Sequence, residues 1–478
     1  MFSLCVILFF AIPGVSSEVE IACNRNNNLS PEKNLSESIS VPTGWNTSLS
    51  PPTYLSNQDC RWDVQVPQGY YAYVIINSQI VTPSTLKVVY QNGVNEDVPQ
   101  SGHAEPYFMI APSFSIILSV SNSTVNLGFV ITYAKMPEVQ MEQYNLSSSA
   151  NPVVLANLNS TLFTSSDRVS LIAADTQWAD FASFLRCFIV FDGPDTNSTL
   201  IGNLRQLVDS YNQFVSTNSH MRIVNLFAGV DLGTMIVAQS YSNVKNFNQY
   251  RLTSCRSTSC NVQLVAHEGT SAVVTISNND RYLTGCSLAE NSKLKIYYGN
   301  IKDENIVYTY NSNSSGIPQK LNNYITTFAL DSGSSLLKIS SFSQSVDWNL
   351  SYDKRQGFIS SPKFNELSTN QDVTETFDGN DYYNYTTKVI NHGIIGKATL
   401  QITTYDSSNK VVDDKIYSTG KLPSSDTTIQ PGKSFSIIYK SNGENTTGVL
   451  VDFSISTTES SAMTCFVWLS FVITLLHI

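Results

Sequence analysis

The chain has few charged side chains and no excess of positive ones. Asp, Glu, Lys and Arg make up 14% of its 478 residues, and the formal net charge is −10 at pH 7. Nucleic-acid-binding domains need a basic patch that neutralises phosphates. The composition therefore predicts no nucleic-acid partner, and it leaves solubility to hydroxyl groups, amides and attached glycans.

Catalytic and metal-binding motifs are also missing from the sequence. It contains no Gly-x-Ser-x-Gly elbow, no His-Glu-x-x-His pair and no phosphate-binding glycine loop. Its five histidines stand singly, without the spacing that a zinc site needs. We therefore expect no enzymatic activity, no cofactor and no catalytic or metal-binding residues.

One pattern resembles an enzyme motif. Residues 328–335, which contain Asp331, have the form of an aspartic-protease loop, and residues 228–234 are an imperfect second copy. That mechanism requires two carboxylates that share a proton. The second copy has Leu232 where a hydroxyl belongs, so we interpret both segments as tight turns. An aspartic-type hydrolase is kept as a remote alternative.

No internal apolar run is long enough to span a bilayer, which takes about 20 residues. An uncharged apolar run does open the chain, and the small residues Val15, Ser16 and Ser17 follow it. This order predicts a cleaved signal peptide at 1–17, although no basic residue precedes the run. The alternative is a buried first helix.

A second apolar run, 463–478, closes the sequence, with small residues before it and no Lys or Arg after it. The pattern predicts a signal for glycosylphosphatidylinositol (GPI) attachment at 457–478, which would tether the mature protein to the outer leaflet of the plasma membrane. Attachment candidates are Ser456, Ser460 and Ser461. The polar spacer is shorter than the usual about 8 to 12 residues, so a short C-terminal strand or a marginal membrane span is the alternative.

Cysteines and glycosylation sequons agree with export. Six cysteines lie outside the two end segments and allow three disulfides in about 15 pairings: Cys23, Cys60, Cys187, Cys255, Cys260 and Cys286. Asn-x-Ser/Thr acceptors are spread over the mature chain and predict a glycoprotein: Asn28, Asn34, Asn46, Asn122, Asn145, Asn159, Asn197, Asn313, Asn349, Asn384 and Asn445. The Asn28 site is the weakest because Pro31 follows it.

Short runs rich in Val, Ile, Tyr, Phe and Thr alternate with Gly, Pro, Asn and Ser clusters, which predicts an all-β chain. Helical spacing is visible mainly at 201–216. A hydroxyl-rich strand pair ending in an aromatic recurs at intervals of about 100 residues, the length of one β-sandwich. We therefore predict four modules in tandem.

The first module contains a more specific pattern. Cys23 is followed by Pro51-Pro52-Thr53-Tyr54, by Cys60-Arg61-Trp62 and by a closing strand from Gly128-Phe129 to Tyr133. This order resembles the CUB domain, and later fragments at 187–193 and 356–362 resemble parts of it. With the signal peptide, the sequons and the GPI-like tail, the whole arrangement resembles the nematode CUB-like domain proteins, which are secreted or GPI-anchored.

The resemblance implies tandem CUB-like β-sandwiches. We expect Trp62 in the core of the first, because a large aromatic side chain that opens a strand is usually buried. The expected divisions are a signal peptide at 1–17, a CUB-like domain at 18–136, CUB-like β-sandwich modules at 137–254 and 255–353, a divergent β-sandwich module at 354–456 and the attachment signal at 457–478. It also implies disulfides between Cys23 and Cys60, between Cys260 and Cys286 and, for the remaining pair, between Cys187 and Cys255.

Many CUB domains bind ligands through calcium, which prefers oxygen ligands. The matching acidic residues here are few, and we interpret them as solvated turn carboxylates: Asp63, Glu96, Asp97, Asp192 and Asp195. The resemblance implies a recognition protein at a cell surface that binds an unknown protein or glycan ligand, in innate immunity or stress response at an epithelium. A structural surface-coat glycoprotein without a defined ligand is the alternative.

Overall fold

A computed structural model describes residues 20–23, 26–31, 35–138, 140–156, 159–174, 179–227, 233–255, 258–314, 316–341, 346–424 and 427–457. Within these residues the protein is almost entirely strand and turn, which confirms the all-β prediction. Their single α-helix, α1 (Leu204–Asp209), is much shorter than the predicted 201–216 segment and is capped by Asn203. None of the described helices has the length and apolarity needed to cross a bilayer.

The first module is a sandwich of two sheets. Its strands are β1 (Glu20–Ile21), β2 (Asn27–Leu29), β3 (Ile39–Val41), β4 (Thr53–Tyr54), β5 (Gln58–Gln65), β6 (Tyr70–Gln79), β7 (Thr85–Val89), β8 (Asn95–Asp97), β9 (Ser101–Ile110), β10 (Ser113–Val120) and β11 (Val125–Lys135). One sheet has the order β1-β4-β11-β6-β9, with β3 also on β11. The other has the order β2-β5-β10-β7-β8.

Trp62 lies in the core of this sandwich, as predicted. Its side chain is 4% exposed and packs edge-on against Phe129 and Tyr54, with ring centroids 5.3 and 6.1 Å away. The disulfide between Cys23 and Cys60 ties the first residues of the module to β5. Closing this loop restricts the unfolded chain, which stabilises a fold by about 2 to 4 kcal/mol.

The second module is also a sandwich. Its strands are β12 (Glu142–Leu146), β13 (Val153–Leu155), β14 (Thr161–Ser165), β15 (Val169–Ala173), β16 (Phe188–Asp192), β17 (Thr199–Asn203), β18 (Phe214–Val215), β19 (His220–Asn225) and β20 (Ile236–Ser240). They form the sheets β12-β14-β19-β16-β17 and β13-β20-β15-β18. A 3₁₀ helix, Ala179–Cys187, leads into β16 and packs against α1 and against β9 of the first module.

The third module has two sheets in the same arrangement. Its strands are β21 (Phe247–Thr253), β22 (Ser259–Ala266), β23 (Thr270–Ile276), β24 (Arg281–Leu288), β25 (Leu294–Tyr298), β26 (Ile306–Tyr310), β27 (Gln319–Leu321), β28 (Ile325–Leu330) and β29 (Gly333–Ser340). The sheets are β21-β23-β28-β25-β26 and β22-β29-β24-β27.

The first three modules share one strand order. In each, the opening strand pairs in parallel with the next strand of its sheet, namely β2 with β5, β12 with β14 and β21 with β23. The remaining pairs of that sheet are antiparallel and follow the same sequence order. The second and third modules therefore share the topology of the first, although their sequences contain only part of its motif.

The fourth module departs from this order. Its strands are β30 (Leu350–Ser351), β31 (Gln356–Ser360), β32 (Val373–His392), β33 (Thr399–Tyr405), β34 (Val411–Tyr417), β35 (Thr428–Lys440) and β36 (Val449–Thr457). They form a single hydrogen-bonded sheet, β31-β36-β32-β35-β33-β34, with β30 on β32. Both halves of β32 contribute side chains to one apolar core.

Two module boundaries differ from the predicted ones. β21 lies before the predicted boundary at 254/255 but pairs with β23 of the third module. β30 likewise lies before 353/354 but pairs with β32 of the fourth. The parallel opening strand of each module lies far in sequence from most of its sheet, so periodicity alone assigned it to the preceding module.

The modules pack against one another through strands that are buried on both faces. In β9, Tyr107 and Met109 face the core of the first module, whereas Phe108 and Ile110 pack into that of the second. An apolar cluster joins the second and third modules, and Phe358 of the fourth lies in the core of the third.

Candidate functional site

A cleft of about 700 Å³ opens between the first and second modules. This volume is within the range of ligand pockets, about 300 to 1,000 Å³. The apolar side chains that line it are buried or half-buried and form its floor: Ile110, Met136, Phe191 and Leu200. Its walls are amides, hydroxyls and one phenol, from Gln68, Tyr70, Gln91, Asn92, Thr196, Asn197, Ser198 and Thr199. No Asp, Glu, Lys, Arg or His is among the described residues that line it.

Three tight turns supply the walls. The first joins β5 to β6, where Gly69 has φ of +79° and Tyr70 N–H donates to Pro67 O at 3.1 Å. The second follows β7, where Gly93 has φ of +80°. A side chain other than glycine is disfavoured at such angles, so these glycines fix where the turns lie. The polar walls are therefore held by rigid strand ends.

The third turn joins β16 to β17. The carboxylate of Asp195 accepts hydrogen bonds from Asn197 N–H at 2.9 Å and from Ser198 hydroxyl at 3.2 Å. This Asx turn fixes the backbone of the segment that carries the sequon Asn197-Ser198-Thr199. Asp195, a residue considered for calcium, is thus part of a turn.

Two side-chain hydrogen bonds cross between the cleft walls. Gln68 Nε2 donates to Asn197 Oδ1 at 3.0 Å, and Asn92 Nδ2 donates to the carbonyl of Ile201 at 3.0 Å. Each bond joins the first module to the second. Two neutral amide groups therefore bridge the modules at the cleft.

A buried ion-pair network fixes the two modules elsewhere in this junction. Arg186 of the second module contacts Glu96 at 2.6 Å and Glu105 at 3.1 Å, and its guanidinium lies 4.2 Å from the ring centroid of Tyr107. Tyr90 hydroxyl donates to Glu96 at 2.5 Å. Burial lowers the pKa of Arg186, but the interactions with Glu96, Tyr107 and Tyr90 together outweigh burial and raise this pKa above its usual value. The guanidinium is therefore charged where it meets both carboxylates.

The arrangement suits binding of a neutral ligand. Amide and hydroxyl groups can exchange hydrogen bonds with ligand hydroxyls or amides, and the apolar floor with Tyr70 can cover C–H surface. An anion or cation would find no opposite charge on the cleft lining. The described residues contain no group of three or more His, Cys, Asp or Glu side chains placed to hold a metal ion.

The disulfides agree with the implied pairing at one position only. The structure joins Cys23 to Cys60, but it joins Cys255 to Cys260 instead of the two other implied pairs. Cys260 and Cys286 lie on strands that flank β29, opposite Ile339 and Leu337 respectively. Their Cα atoms are therefore at least about 9 to 10 Å apart, beyond the about 7 Å that a disulfide allows. The Cys260–Cys286 pairing is therefore wrong.

The implied pairing of Cys187 with Cys255 is also wrong. Cys187 is buried in the core of the second module, whereas Cys255 packs against the core of the third. Burial raises the pKa of the Cys187 thiol to about 12. Cys187 and Cys286 are thus free thiols in the structure.

Most sequon asparagines are on the surface. Those exposed are Asn28, Asn46, Asn122, Asn145, Asn159, Asn197, Asn313, Asn349 and Asn445, and Asn384 is half-buried within β32. Asn34 lies outside the described residues. Glycosylation remains a prediction at each of them.

The remaining site residues are dispersed. Asp331 accepts hydrogen bonds from Lys293 N–H at 2.7 Å and from Ser332 at 3.1 Å in the turn between β28 and β29; Asp231 lies outside the described residues. Ser456 is in β36, opposite Asn384. The predicted signal peptide at 1–17, Ser460 and Ser461 lie outside the described residues.

Sequence reasoning missed the cleft itself. Gln68, Asn92 and Asn197 lie in three turns that are separated by many residues in sequence and meet only when the modules pack. The available signal was the continuous apolar run 107–110, which is typical of a strand buried on both faces. It indicates that another part of the chain packs against the outer face of this strand, but it does not identify that part.

Comparison with known families bears on the separate modules. Residues 18–137 match the family model of the CUB-like domain. The first module is CUB-like. Residues 145–226 and 242–342 match two models described as domains of unknown function, and these ranges correspond to the second and third sandwiches. The family assignment thus covers the first module, and the resemblance to CUB-like proteins is supported there.

No curated protein matches the chain. Among solved structures, the CUB1-EGF-CUB2 domains of rat MASP-1 align at 9% identity, with 43% of this chain and 99% of that chain covered and a TM-score of 0.18. The full extracellular region of zebrafish Gpr126/Adgrg6 aligns at 9% identity, with 92% and 53% covered and a TM-score of 0.18. At such TM-scores neither likeness bears on the arrangement of these modules.

Proposed function

We propose that this protein is an extracellular recognition protein that binds a neutral oligosaccharide in the cleft between its first and second modules. The observation that carries the proposal is the uncharged cleft, with amide and hydroxyl walls above an apolar floor. Binding residues on turns that a rigid β-scaffold positions are common in recognition domains. The CUB-like first module supports the extracellular interaction role.

The proposal includes export, N-glycosylation and a GPI tether to the outer leaflet. The apolar segments at the two ends of the sequence support export and the tether, and the exposed sequons support glycosylation. By resemblance to nematode CUB-like proteins, the recognition event belongs to innate immunity or stress response at an epithelial surface. No catalytic role is assigned to any residue.

The test is binding of the ectodomain to an array of neutral oligosaccharides that includes the N-acetylglucosamine tetramer. Because Asn197 is itself a glycosylation acceptor in the cleft wall, the protein is assayed with Thr199→Val, which removes the sequon hydroxyl and keeps the side-chain shape. Saturable binding of an oligosaccharide is the expected result. If none of the neutral oligosaccharides binds, the proposal is contradicted and the surface-coat alternative is favoured.

Two further variants locate the binding. Gln91→Glu keeps the shape of the cleft and introduces a charge, and Tyr70→Ala removes its aromatic side chain. Each should weaken binding at least about tenfold, since every lost 1.4 kcal/mol costs a factor of about ten. Gln143→Glu makes the same chemical change at an exposed position of β12 away from the cleft and should leave binding unchanged. Equal effects of Gln91→Glu and Gln143→Glu would exclude the cleft as the binding site.

A further inference from the structure

The sequon Asn197-Ser198-Thr199 is part of the cleft wall. All three residues line the cleft, and Asn197 is exposed there. Among the ten sequon asparagines that the structure describes, Asn197 alone lines this cleft. A glycan at this position would start inside the junction between two modules, whereas a glycan at Asn145 would start on the exposed face of β12.

The hydrogen bonding of Asn197 is compatible with a glycan. Its Oδ1 accepts the hydrogen bond from Gln68 Nε2, and its backbone N–H donates to Asp195. N-glycosylation uses the other amide atom, Nδ2, which loses one proton and forms a bond to C1 of the first sugar. The co-reactant is a lipid pyrophosphate-linked oligosaccharide, whose C1–O bond breaks to release the lipid pyrophosphate. The contact between Gln68 and Asn197 Oδ1 can therefore persist.

The cleft offers suitable surroundings for the first sugars. N-linked chains begin with N-acetylglucosamine, which is uncharged and carries hydroxyls, an amide and an apolar methyl group. The cleft is likewise uncharged, with amides at Gln68, Gln91 and Asn92 above the apolar floor. Its volume of about 700 Å³ lies within the range of pockets that hold small ligands.

We infer that a glycan on Asn197 lies in the cleft between the first and second modules and blocks it to other oligosaccharides. Occupancy of Asn197 then determines whether the cleft is open. An attached sugar is held at high effective concentration by its covalent bond, so it outcompetes a free oligosaccharide of the same chemistry. The blocking step rests on the proposed function, whereas the placement of the glycan does not.

Placement is tested by site-resolved deglycosylation of the native protein. The full chain is expressed in animal cells, treated under native conditions with peptide-N-glycosidase in ¹⁸O water, and each converted asparagine is followed by mass spectrometry. Release at Asn197 should be at least about tenfold slower than at Asn145 and Asn313, because a sugar seated in the cleft is shielded. After denaturation the three sites should be released alike. An unmodified Asn197, or release at the control rate, would overturn the inference.

Blocking is tested by binding of the N-acetylglucosamine tetramer to wild type, Thr199→Val and Asn197→Gln. Both variants remove the glycan, and Thr199→Val also keeps the contact between Gln68 and Asn197. Because both substituted residues line the cleft, wild-type protein expressed with N-glycosylation inhibited is assayed beside them as the unsubstituted glycan-free form. All three should bind at least about tenfold more tightly than glycosylated wild type, and the control Asn145→Gln should bind as wild type does. Equal binding by wild type and Thr199→Val contradicts blocking. Failure of every form to bind contradicts the proposed function but leaves the deglycosylation result to decide the placement.

Discussion

The junction between the first and second modules and the junction between the third and fourth are built differently. In the latter, Gln319 of β27 bonds both backbone groups of Phe358, donating at 2.8 Å and accepting at 3.0 Å. Asn322 donates to the carbonyl of Ser360 at 2.7 Å. The side-chain amides of Gln319 and Asn322 thus bond the backbone of β31 as a neighbouring strand would. Their hydrogen bonds are therefore made within the protein.

In the junction of the first two modules, amides of the same kind line an open cleft. Gln91 and Asn197 are in its walls, while the charged contacts of Arg186 fix the modules elsewhere. The junction between the third and fourth modules also contains a cation bound by a carboxylate, since Lys320 contacts Glu375 at 2.8 Å. Buried charges and apolar residues thus join the modules in both junctions, whereas uncharged amides seal one junction and line an open cleft in the other.

The largest expected effect comes from Arg186→Met. It leaves Glu96 and Glu105 without their partner in a mostly buried position, and breaking a buried pair in this way costs about 3 to 5 kcal/mol. The unfolding transition of the first two modules, followed by denaturant titration, should shift accordingly. Arg205→Met removes an exposed pair with Asp209 and should cost less than about 0.5 kcal/mol. Similar losses in the two variants would contradict the role of Arg186.

Gln319→Leu tests the junction between the third and fourth modules, the sealed junction, in which side-chain amides bond the backbone of β31. The side chain is fully buried, and its loss leaves the N–H and C=O of Phe358 without these partners, at a cost of about 1 to 3 kcal/mol for an unsatisfied group. Thermal and denaturant unfolding of the third and fourth modules should show the loss. Gln263→Leu makes the same replacement at an exposed position of β22 and should have little effect. Unchanged stability of Gln319→Leu would show that the amide is dispensable.

An effect of the opposite sign, a gain in stability, is expected from Asp452→Asn in the same junction. Burial raises the pKa of Asp452 to about 6, with Lys388 acting in the opposite direction. Because the folded pKa is above the unfolded one, the stabilising contribution is fully present below about pH 4 and is lost as pH rises through about 6. At pH 7.5 the variant should therefore be more stable than wild type by up to about 3 kcal/mol, the free energy of a pKa shift of about two units.

That difference should shrink towards zero at pH 4, where the carboxyl of Asp452 is protonated in the folded protein and is as uncharged as the amide of the variant. The measurement is denaturant unfolding of both proteins between pH 4 and pH 7.5. Asp97→Asn, at an exposed carboxylate of the first module, is the control. A constant difference between wild type and Asp452→Asn across this pH range would contradict the assigned titration.

Much of the first module could be predicted from the sequence. Cys23, Trp62 and Tyr133 stand in the order of a CUB domain, and they share a core with Cys60 in the structure. The all-β class followed from strand-length apolar runs. The later modules carry only fragments of the motif, so their common strand order became visible from hydrogen-bond pairing and not from residue identities.

The cleft and two disulfide assignments could not be predicted in this way. Cysteine spacing ignores the strand that lies between Cys260 and Cys286. The ion-pair network of Arg186 joins residues that are 90 positions apart in sequence. A continuous apolar strand such as 107–110 indicates burial on both faces, but the covering module, and hence the cleft beside it, depends on tertiary packing.

The most direct test of the recognition cleft is hydrogen exchange of the Thr199→Val chain with and without saturating N-acetylglucosamine tetramer. We expect slower amide exchange at 68–70 and 195–200, in the walls of the cleft, and unchanged exchange at 356–360 in the sealed junction. Unchanged exchange in the cleft walls, or protection confined to the sealed junction, would contradict the assignment of the cleft as the ligand site.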